Sequence, residues 1–224
     1  MKRLNLKRWS KLQFWNSPAW KKIRERLEKE DSNGIHVIPG FSKLFRPLIL
    51  CPYEKVKVVI ISNDMQTSMA VSDGFPFSCQ PHCKAKNRSY DAFRRELYRD
   101  TGIRRAKRKT LAPWAARGVL LINEGWSATV GKPDAHKKLG WWKLNMEIIN
   151  KLSYSKKNLV FILMGRSAYN YRGLIDTRKH LVLITDGVRN TSKELPPYNG
   201  SSVFTKTNAY LAANGIQPID WRLP

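Results

Sequence analysis

The chain has few acidic residues, few cysteines and no long apolar stretch. Its 224 residues include 41 lysines and arginines but only 17 aspartates and glutamates, so the formal net charge is +24. This excess exceeds what solubility requires and predicts a polyanionic partner, nucleic acid before an anionic membrane. No apolar run approaches the roughly 18 residues of a spanning helix, and the N-terminus lacks the continuous apolar segment of a signal peptide. We therefore expect an intracellular, cytoplasmic protein with no membrane partner.

Three cysteines are too few for a disulfide framework, which is typical of a reducing compartment. Cys79, His82 and Cys83 lie close together in the sequence, but a tetrahedral zinc site requires a fourth ligand and a recognisable spacing. We predict no metal and no cofactor. Hydrophobic residues make up 42% of the chain, which excludes wholesale disorder.

Four short apolar runs predict the strands of a buried parallel sheet. The first, Val56 to Ile61, is β-branched without alternation, as in strands covered on both faces. Three further runs lie at 118–123, 158–165 and 181–185. Polar side chains follow the runs, including Asp64 and Asn123. Because open α/β sheets place their ligand crevice at the carboxyl ends of strands, Asp64 is either a functional acid or an ordinary turn residue.

Residues 1–16 form a predicted basic and aromatic arm, followed by one domain over residues 17–224. The arm interleaves cations with Trp9, Phe14 and Trp15, so it either binds a flexible nucleic-acid strand or packs on the domain. Ser17 and Pro18 predict the start of a helix that continues to about residue 30. Further helices are predicted over about 89–100 and 136–152.

The densest positive charge lies in the segment 103–111, which contains no acid. Such a run is either a solvated surface or a phosphate-binding surface, and the net charge favours the second. We predict that the phosphate contacts are made by Arg104, Arg105, Lys107, Arg108, Lys109 and Arg189.

Several segments, spread in order from roughly Ser17 to the C-terminus, resemble family 1 uracil-DNA glycosylases. They are CPYEKVKVVI at 51–60, GFPFS at 74–78, WAARGVLLIN at 114–123, HKKLGW at 136–141, FTKTNAYL at 204–211 and PIDW at 218–221. The resemblance implies a three-layer α/β/α sandwich with a four-stranded parallel sheet. It also implies a pocket in which a flipped uracil is cut from its sugar. There Asp64 would position water and stabilise the sugar cation, Phe77 would stack on the base, and Asn123 would contact its Watson–Crick edge.

The loops around this pocket depart from the family pattern. The loop Gly-Gln-Asp-Pro-Tyr-His reads SNDMQT at 62–67 here, so Gln66 replaces the tyrosine that excludes thymine. The loop His-Pro-Ser-Pro-Leu-Ser reads GVRNTS at 187–192, which removes the imidazole that stabilises the departing uracil and the leucine that wedges into the base stack. The Pro-rich clamp aligns with Asn87 to Ser89 and keeps only the serine.

These departures predict a catalytically degenerate protein, a pseudoenzyme that binds nucleic acid electrostatically. We expect its ligand to be single-stranded, with RNA such as mRNA weakly favoured over DNA, and the protein to condense or chaperone that strand. On this hypothesis Asp64 is a remnant insufficient for catalysis, and Phe77 and Asn123 are a remnant base pocket. One alternative is an active glycosylase that excises uracil or a modified base. A second alternative is a protein-interaction adaptor of replication machinery.

Overall fold

The computed structural model describes residues 5–64, 66, 68–104, 106, 109–189 and 194–223. Over these residues, helices and strands alternate along most of the chain. The helices are α1 (Pro18–Ser32), α2 (Arg46–Leu50), α3 (Arg88–Thr101), α4 (Ala112–Ala116), α5 (Trp141–Ser155), α6 (Arg166–Tyr169) and α7 (Val203–Ala213). The strands are β1 (Val37–Ile38), β2 (Val58–Ser62), β3 (Val119–Asn123), β4 (Ala128–Thr129), β5 (Val160–Met164) and β6 (Leu181–Thr185).

The central sheet has four parallel strands in the order β3-β2-β5-β6. Every residue of β2, β3 and β5 is buried, as their unbroken apolar runs predict, whereas β6 at the sheet edge is partly exposed. Helices flank this sheet, so the predicted three-layer α/β/α fold is confirmed. Strands β1 and β4 form a separate antiparallel pair of two residues each.

The strand order locates the crevice of the sheet. The chain passes from β2 to β3 on one side and then crosses to β5 on the other side of β2. The order of strands therefore reverses between β2 and β5, and the loops that follow these two strands separate there. Ligands of open α/β sheets bind at such a reversal, outside the carboxyl ends of the strands.

The predicted helix starts are confirmed at α1 and shifted at α5. The Ser17 hydroxyl accepts a hydrogen bond from the Trp20 amide at 3.2 Å, and Pro18 occupies the first turn. The helix predicted from residue 136 begins instead at Trp141. Gly140 interrupts it with a left-handed backbone (φ +107°), and His136 is buried in a loop where it contacts the Glu30 carboxylate at 3.0 Å.

Aromatic side chains form two packed groups in the core. One consists of Phe14, Trp15, Trp20, Phe45, Trp126 and Trp141. The other consists of Phe77, Phe93, Trp114, Tyr198, Phe204 and Trp221. Each ring contact in such a group stabilises the fold beyond the burial of its apolar area, so these groups contribute a large part of the packing energy.

The N-terminal segment (residues 5–16) packs on the domain through its aromatics. Trp9 is fully buried, and its indole N–H donates to the Cys51 carbonyl at 3.0 Å. The amides of Gln13 and Phe14 donate to the two oxygens of Glu147 in α5, at 2.5 and 2.7 Å. The segment is therefore joined to the domain by both apolar and polar contacts. In the described part of the chain, no helix is long and apolar enough to cross a membrane.

Candidate active site

A cleft of about 160 Å³ opens at the carboxyl ends of the central strands. We call it the sheet-end cleft. A cavity of about 150 Å³ accommodates one benzene ring, so this cleft has room for a single pyrimidine. Its walls follow β2, β5 and β6 and include Phe77; they are formed by Ser62, Asn63, Asp64, Phe77, Met164, Gly165, Arg166, Ser167, Gly187, Val188 and Arg189.

Asp64 is the carboxylate of this cleft and is tied to the residues around it. Its side-chain oxygen Oδ2 accepts hydrogen bonds from the Phe77 amide at 3.1 Å and from Gln66 Nε2 at 2.9 Å. Its own amide donates to Asn123 Oδ1 at 3.0 Å. Only 7% of Asp64 is exposed, so these bonds fix the carboxylate in place. The three residues named for the family pocket therefore form one bonded group.

Phe77 has an unusual backbone that serves this arrangement. Its φ of +63° lies in the left-handed region, which costs a residue with a side chain about 1–3 kcal/mol. That conformation directs the Phe77 amide at Asp64. One face of the buried ring stacks on Phe93 with 4.6 Å between centroids, and Asn87 Nδ2 donates to the Phe77 carbonyl at 2.9 Å. Asn87 also caps α3 by accepting from the Tyr90 amide at 3.0 Å.

Asp73 braces the loop that carries Phe77. Its carboxylate accepts from the hydroxyls of Ser78 and Thr110 at 2.6 and 2.9 Å, and Arg46 lies 3.7 Å away. Burial raises the pKa of Asp73, and the two hydroxyls partly oppose that rise. Sequence reasoning did not identify this residue. The only signal for it was an acid followed by Gly74, a pair typical of turns.

Asn123 lies behind Asp64 and does not line the sheet-end cleft. It borders a cavity of about 10 Å³ together with Gln66 and Phe75. The Asp64 amide can donate only to the oxygen of the Asn123 side chain, so the orientation of that side-chain amide is set. Its Nδ2 donor therefore points away from the Asp64 amide.

Of the predicted phosphate contacts that the structure describes, Arg104, Lys109 and Arg189, only Arg189 lines the cleft. Arg104 is exposed but is not in the cleft wall, and Lys109 donates to the Ala85 carbonyl at 2.7 Å. Arg105, Lys107 and Arg108 lie outside the described residues. Arg166 adds a second guanidinium to the cleft wall. It shares this wall with Asp64 because β5, which precedes Arg166, pairs with β2, which precedes Asp64.

The four histidines of the chain all belong to the described residues, and none lines the sheet-end cleft. His180 is buried elsewhere, and its Nε2 lies 3.0 Å from the Ser153 carbonyl oxygen. Across the described residues, no group of three or more His, Cys, Asp or Glu side chains is arranged to hold a metal ion. Among the described residues of the cleft wall, the positively charged groups available to stabilise a developing anion are Arg166 and Arg189.

Comparison with known proteins shows to which family this chain is related. The uracil-DNA glycosylase of Agrobacterium fabrum is 34% identical over 208 residues, which are 93% of this chain and 86% of that protein. The uracil-DNA glycosylase of Azotobacter vinelandii is 32% identical over 210 residues, covering 94% of this chain and 90% of the relative. No family model matches the chain.

Solved structures agree in fold. A crystal structure of mimivirus uracil-DNA glycosylase superposes with a TM-score of 0.83 at 21% identity, covering 93% of this chain and 83% of the other. A mimivirus UNG variant in complex with UGI gives a TM-score of 0.86 at 20% identity, covering 100% and 89%. The chain belongs to the uracil-DNA glycosylase family.

These relatives contradict the prediction of a catalytically degenerate pseudoenzyme that binds RNA. Proteins named uracil-DNA glycosylase match the chain over nearly its whole length, which favours the active-enzyme alternative. They support nucleic acid as the partner but not a preference for RNA over DNA. The physical error lay in weighting altered loops above the bonded group of Asp64, Phe77 and Asn123, since one lost donor removes only about 10² to 10³ of a much larger enhancement.

Proposed function

We propose that the protein is an active uracil-DNA glycosylase that hydrolyses the bond between uracil and its deoxyribose. The observation that supports this most is the bonded group of Asp64, Phe77 and Asn123 beside a cleft with room for one pyrimidine. The names of its relatives also support the proposal, since both are called uracil-DNA glycosylase.

Base binding follows from Phe77 and Asn123. Phe93 holds one face of the fully buried Phe77 ring, so a flipped base stacks on the opposite face after displacing the side chains that cover it. The Nδ2 donor of Asn123 suits the O4 carbonyl of uracil and repels the amino group that cytosine carries there. To reach that donor, the base displaces the Gln66 side chain from its bond to Asp64, because the cavity beside Asn123 holds only about 10 Å³.

The chemical step assigns Asp64 two roles. The C1′–N1 bond breaks and its electron pair leaves with the uracil, so positive charge develops on the sugar. The Asp64 carboxylate stabilises that charge and orients a water whose oxygen forms the new bond to C1′. Both hydrogen bonds that the described residues donate to the carboxylate go to Oδ2, so Oδ1 is the oxygen that holds the water and receives its proton. Asp64 then releases this proton to solvent, and the uracil anion takes up a proton from solvent. The products are uracil and an abasic strand.

Arg166 and Arg189 supply the positive field for the departing uracil anion. Both line the sheet-end cleft, and a guanidinium stays charged at any working pH. They take the place of the imidazole that other family members provide in the loop after β6, where this chain has Gly187. Arg166 also lies 3.6 Å from Glu194, an exposed pair whose attraction water screens.

We propose single-stranded DNA as the preferred substrate. The loop at 187–192 contains no leucine to fill the gap left by a flipped base, so extrusion from a duplex carries its full cost of a few kcal/mol. Unpaired strands avoid that cost. The net charge of +24 attracts either form, and binding should weaken steeply with salt.

The test is excision from a labelled oligonucleotide with one deoxyuridine, single-stranded or annealed to its complement. Alkali cleaves the abasic product, and the same strand with thymidine in place of deoxyuridine is the control. We expect cleavage of the deoxyuridine strand, faster when single-stranded. If the purified protein leaves every deoxyuridine intact, the proposed function is wrong.

A further inference from the structure

Trp142 is an exposed tryptophan at the start of α5. It is 46% exposed, while its neighbour Trp141 is buried in the core. Trp142 borders a second cavity, of about 240 Å³, whose wall also includes Asn63, Glu124 and Lys137. An exposed indole beside a cavity offers a flat apolar surface on which a planar group such as a base can stack.

This second cavity adjoins the sheet-end cleft. Asn63 lies in the wall of both. Glu124 follows β3 as Asn63 follows β2, and the Glu124 amide donates to the Ser62 carbonyl at 2.8 Å. The two cavities therefore lie side by side at the carboxyl ends of β2 and β3.

The charges around the cavity decide which part of a nucleotide fits. Lys143 Nζ lies 5.5 Å from the centroid of the Trp142 ring, and Lys137 and Lys138 are exposed nearby in the sequence. Glu124 and Asp134 lie in the wall itself and repel a phosphate there. The two acids in the wall disfavour a phosphate inside the cavity and suit a base, while the exposed Lys137 and Lys143 suit the phosphates on either side.

We propose that this cavity is a subsite for an unpaired base next to the uracil in a single strand. The base stacks on Trp142, and Lys143 and Lys137 contact the backbone. The position of the uracil rests on the proposed function, but stacking on Trp142 requires no catalysis. A binding measurement can therefore fail or succeed independently of excision.

The experiment measures binding of a fluorescein-labelled single strand by anisotropy. The strand carries no uracil and has one abasic analogue at its centre. Trp142→Ala should weaken binding by about 5- to 150-fold, the usual range for one base–aromatic stack. Trp142→Phe should stay within about threefold of the wild type. Because the lost contact is uncharged, the dependence of log affinity on log salt should keep its slope.

Tyr154→Ala is the matched control. Tyr154 lies on the same helix, is 85% exposed, and has Lys179 Nζ 5.8 Å from its ring centroid. It is separated from Trp142 by about 18 Å along the helix axis, so it should leave binding unchanged. A strand whose bases on both sides of the central analogue are also abasic should bind the wild type and Trp142→Ala equally.

The outcomes separate the proposals. Unchanged binding by Trp142→Ala overturns the subsite, as does an equal loss from Tyr154→Ala or a loss that persists with the flanking bases removed. If the wild type excises no uracil but Trp142→Ala shows the expected loss, the proposed function fails while the stacking site stands.

Discussion

Replacing Asp64 by asparagine isolates the charge on which the proposed chemistry depends. Both hydrogen bonds from Phe77 and Gln66 reach the same carboxylate oxygen, so an asparagine with its oxygen in that position accepts both. We expect the free energy of unfolding to change by less than about 1 kcal/mol. A unit positive charge about 4 Å from a carboxylate gains about 4 kcal/mol at an effective dielectric constant near 20. Asp64→Asn should therefore slow excision by about 10³-fold.

The assay for Asp64→Asn is single-turnover release of uracil from a labelled single strand, with enzyme in excess. Thermal unfolding and binding of a uracil-free strand are the controls, and both should match the wild type. If Asp64→Asn retained activity within about tenfold of the wild type, the carboxylate would have no place in the mechanism. A loss of activity accompanied by a large drop in Tm would show that the side chain is needed for folding instead.

Three further predictions follow from contacts around the core and the cleft. Arg189→Ala should slow single-turnover excision by about 10² or more while Arg189→Lys recovers part of the rate; equal rates would remove Arg189 from the mechanism. Asn87→Ala removes the cap of α3 and the bond to the Phe77 carbonyl, so urea unfolding should show a loss of about 1–3 kcal/mol, and no loss would contradict these contacts. Glu30→Gln should lower Tm at neutral pH. Burial raises the pKa of Glu30, but bonds from Arg26 and His136 outweigh it and hold the pKa below its usual 4.5, so the stabilisation is present above pH 4.5 and is lost as pH falls through that lower value. Thermal melts of the two proteins should converge in acid, and a constant difference would refute this assignment.

The central sheet was predictable because burial on both faces leaves an unbroken apolar run. The predicted runs at 118–123, 158–165 and 181–185 contain β3, β5 and β6, and the run Val56 to Ile61 covers all of β2 except Ser62. The pair β1 and β4 was not predicted, since two residues are too few for any period to show. Helix α7 was missed as well, although Ser202 before it is a residue type that often starts helices; in the structure its side chain makes no capping hydrogen bond.

The candidate site was predictable only in part, because sequence separation hides spatial neighbours. Asp64 could be predicted as a site residue because it follows the apolar run of a buried strand. Arg166 reaches the same cleft because β5, which it follows, pairs with β2, and the two adjacent tryptophans 141 and 142 differ in exposure, which the sequence alone does not show. The loop motifs alone favoured a degenerate protein, and it was the relatives matching nearly the whole chain that contradicted this prediction. The hydrogen bonds of Asp64 with Gln66, Phe77 and Asn123 could not be predicted from the loop motifs.

The attachment of the N-terminal segment limits how the protein can be shortened. A version that starts at Ser17 would lack Trp9 and so leave a cavity in the core. The Glu147 carboxylate would also lose the hydrogen bonds that it accepts from two backbone amides of the segment. Removal of one buried tryptophan alone typically costs about 3–5 kcal/mol, a large share of a domain's total stability. Trimming this end to reduce positive charge would therefore destabilise the domain. Charge is better removed at Lys7 and Lys11, whose side chains are exposed.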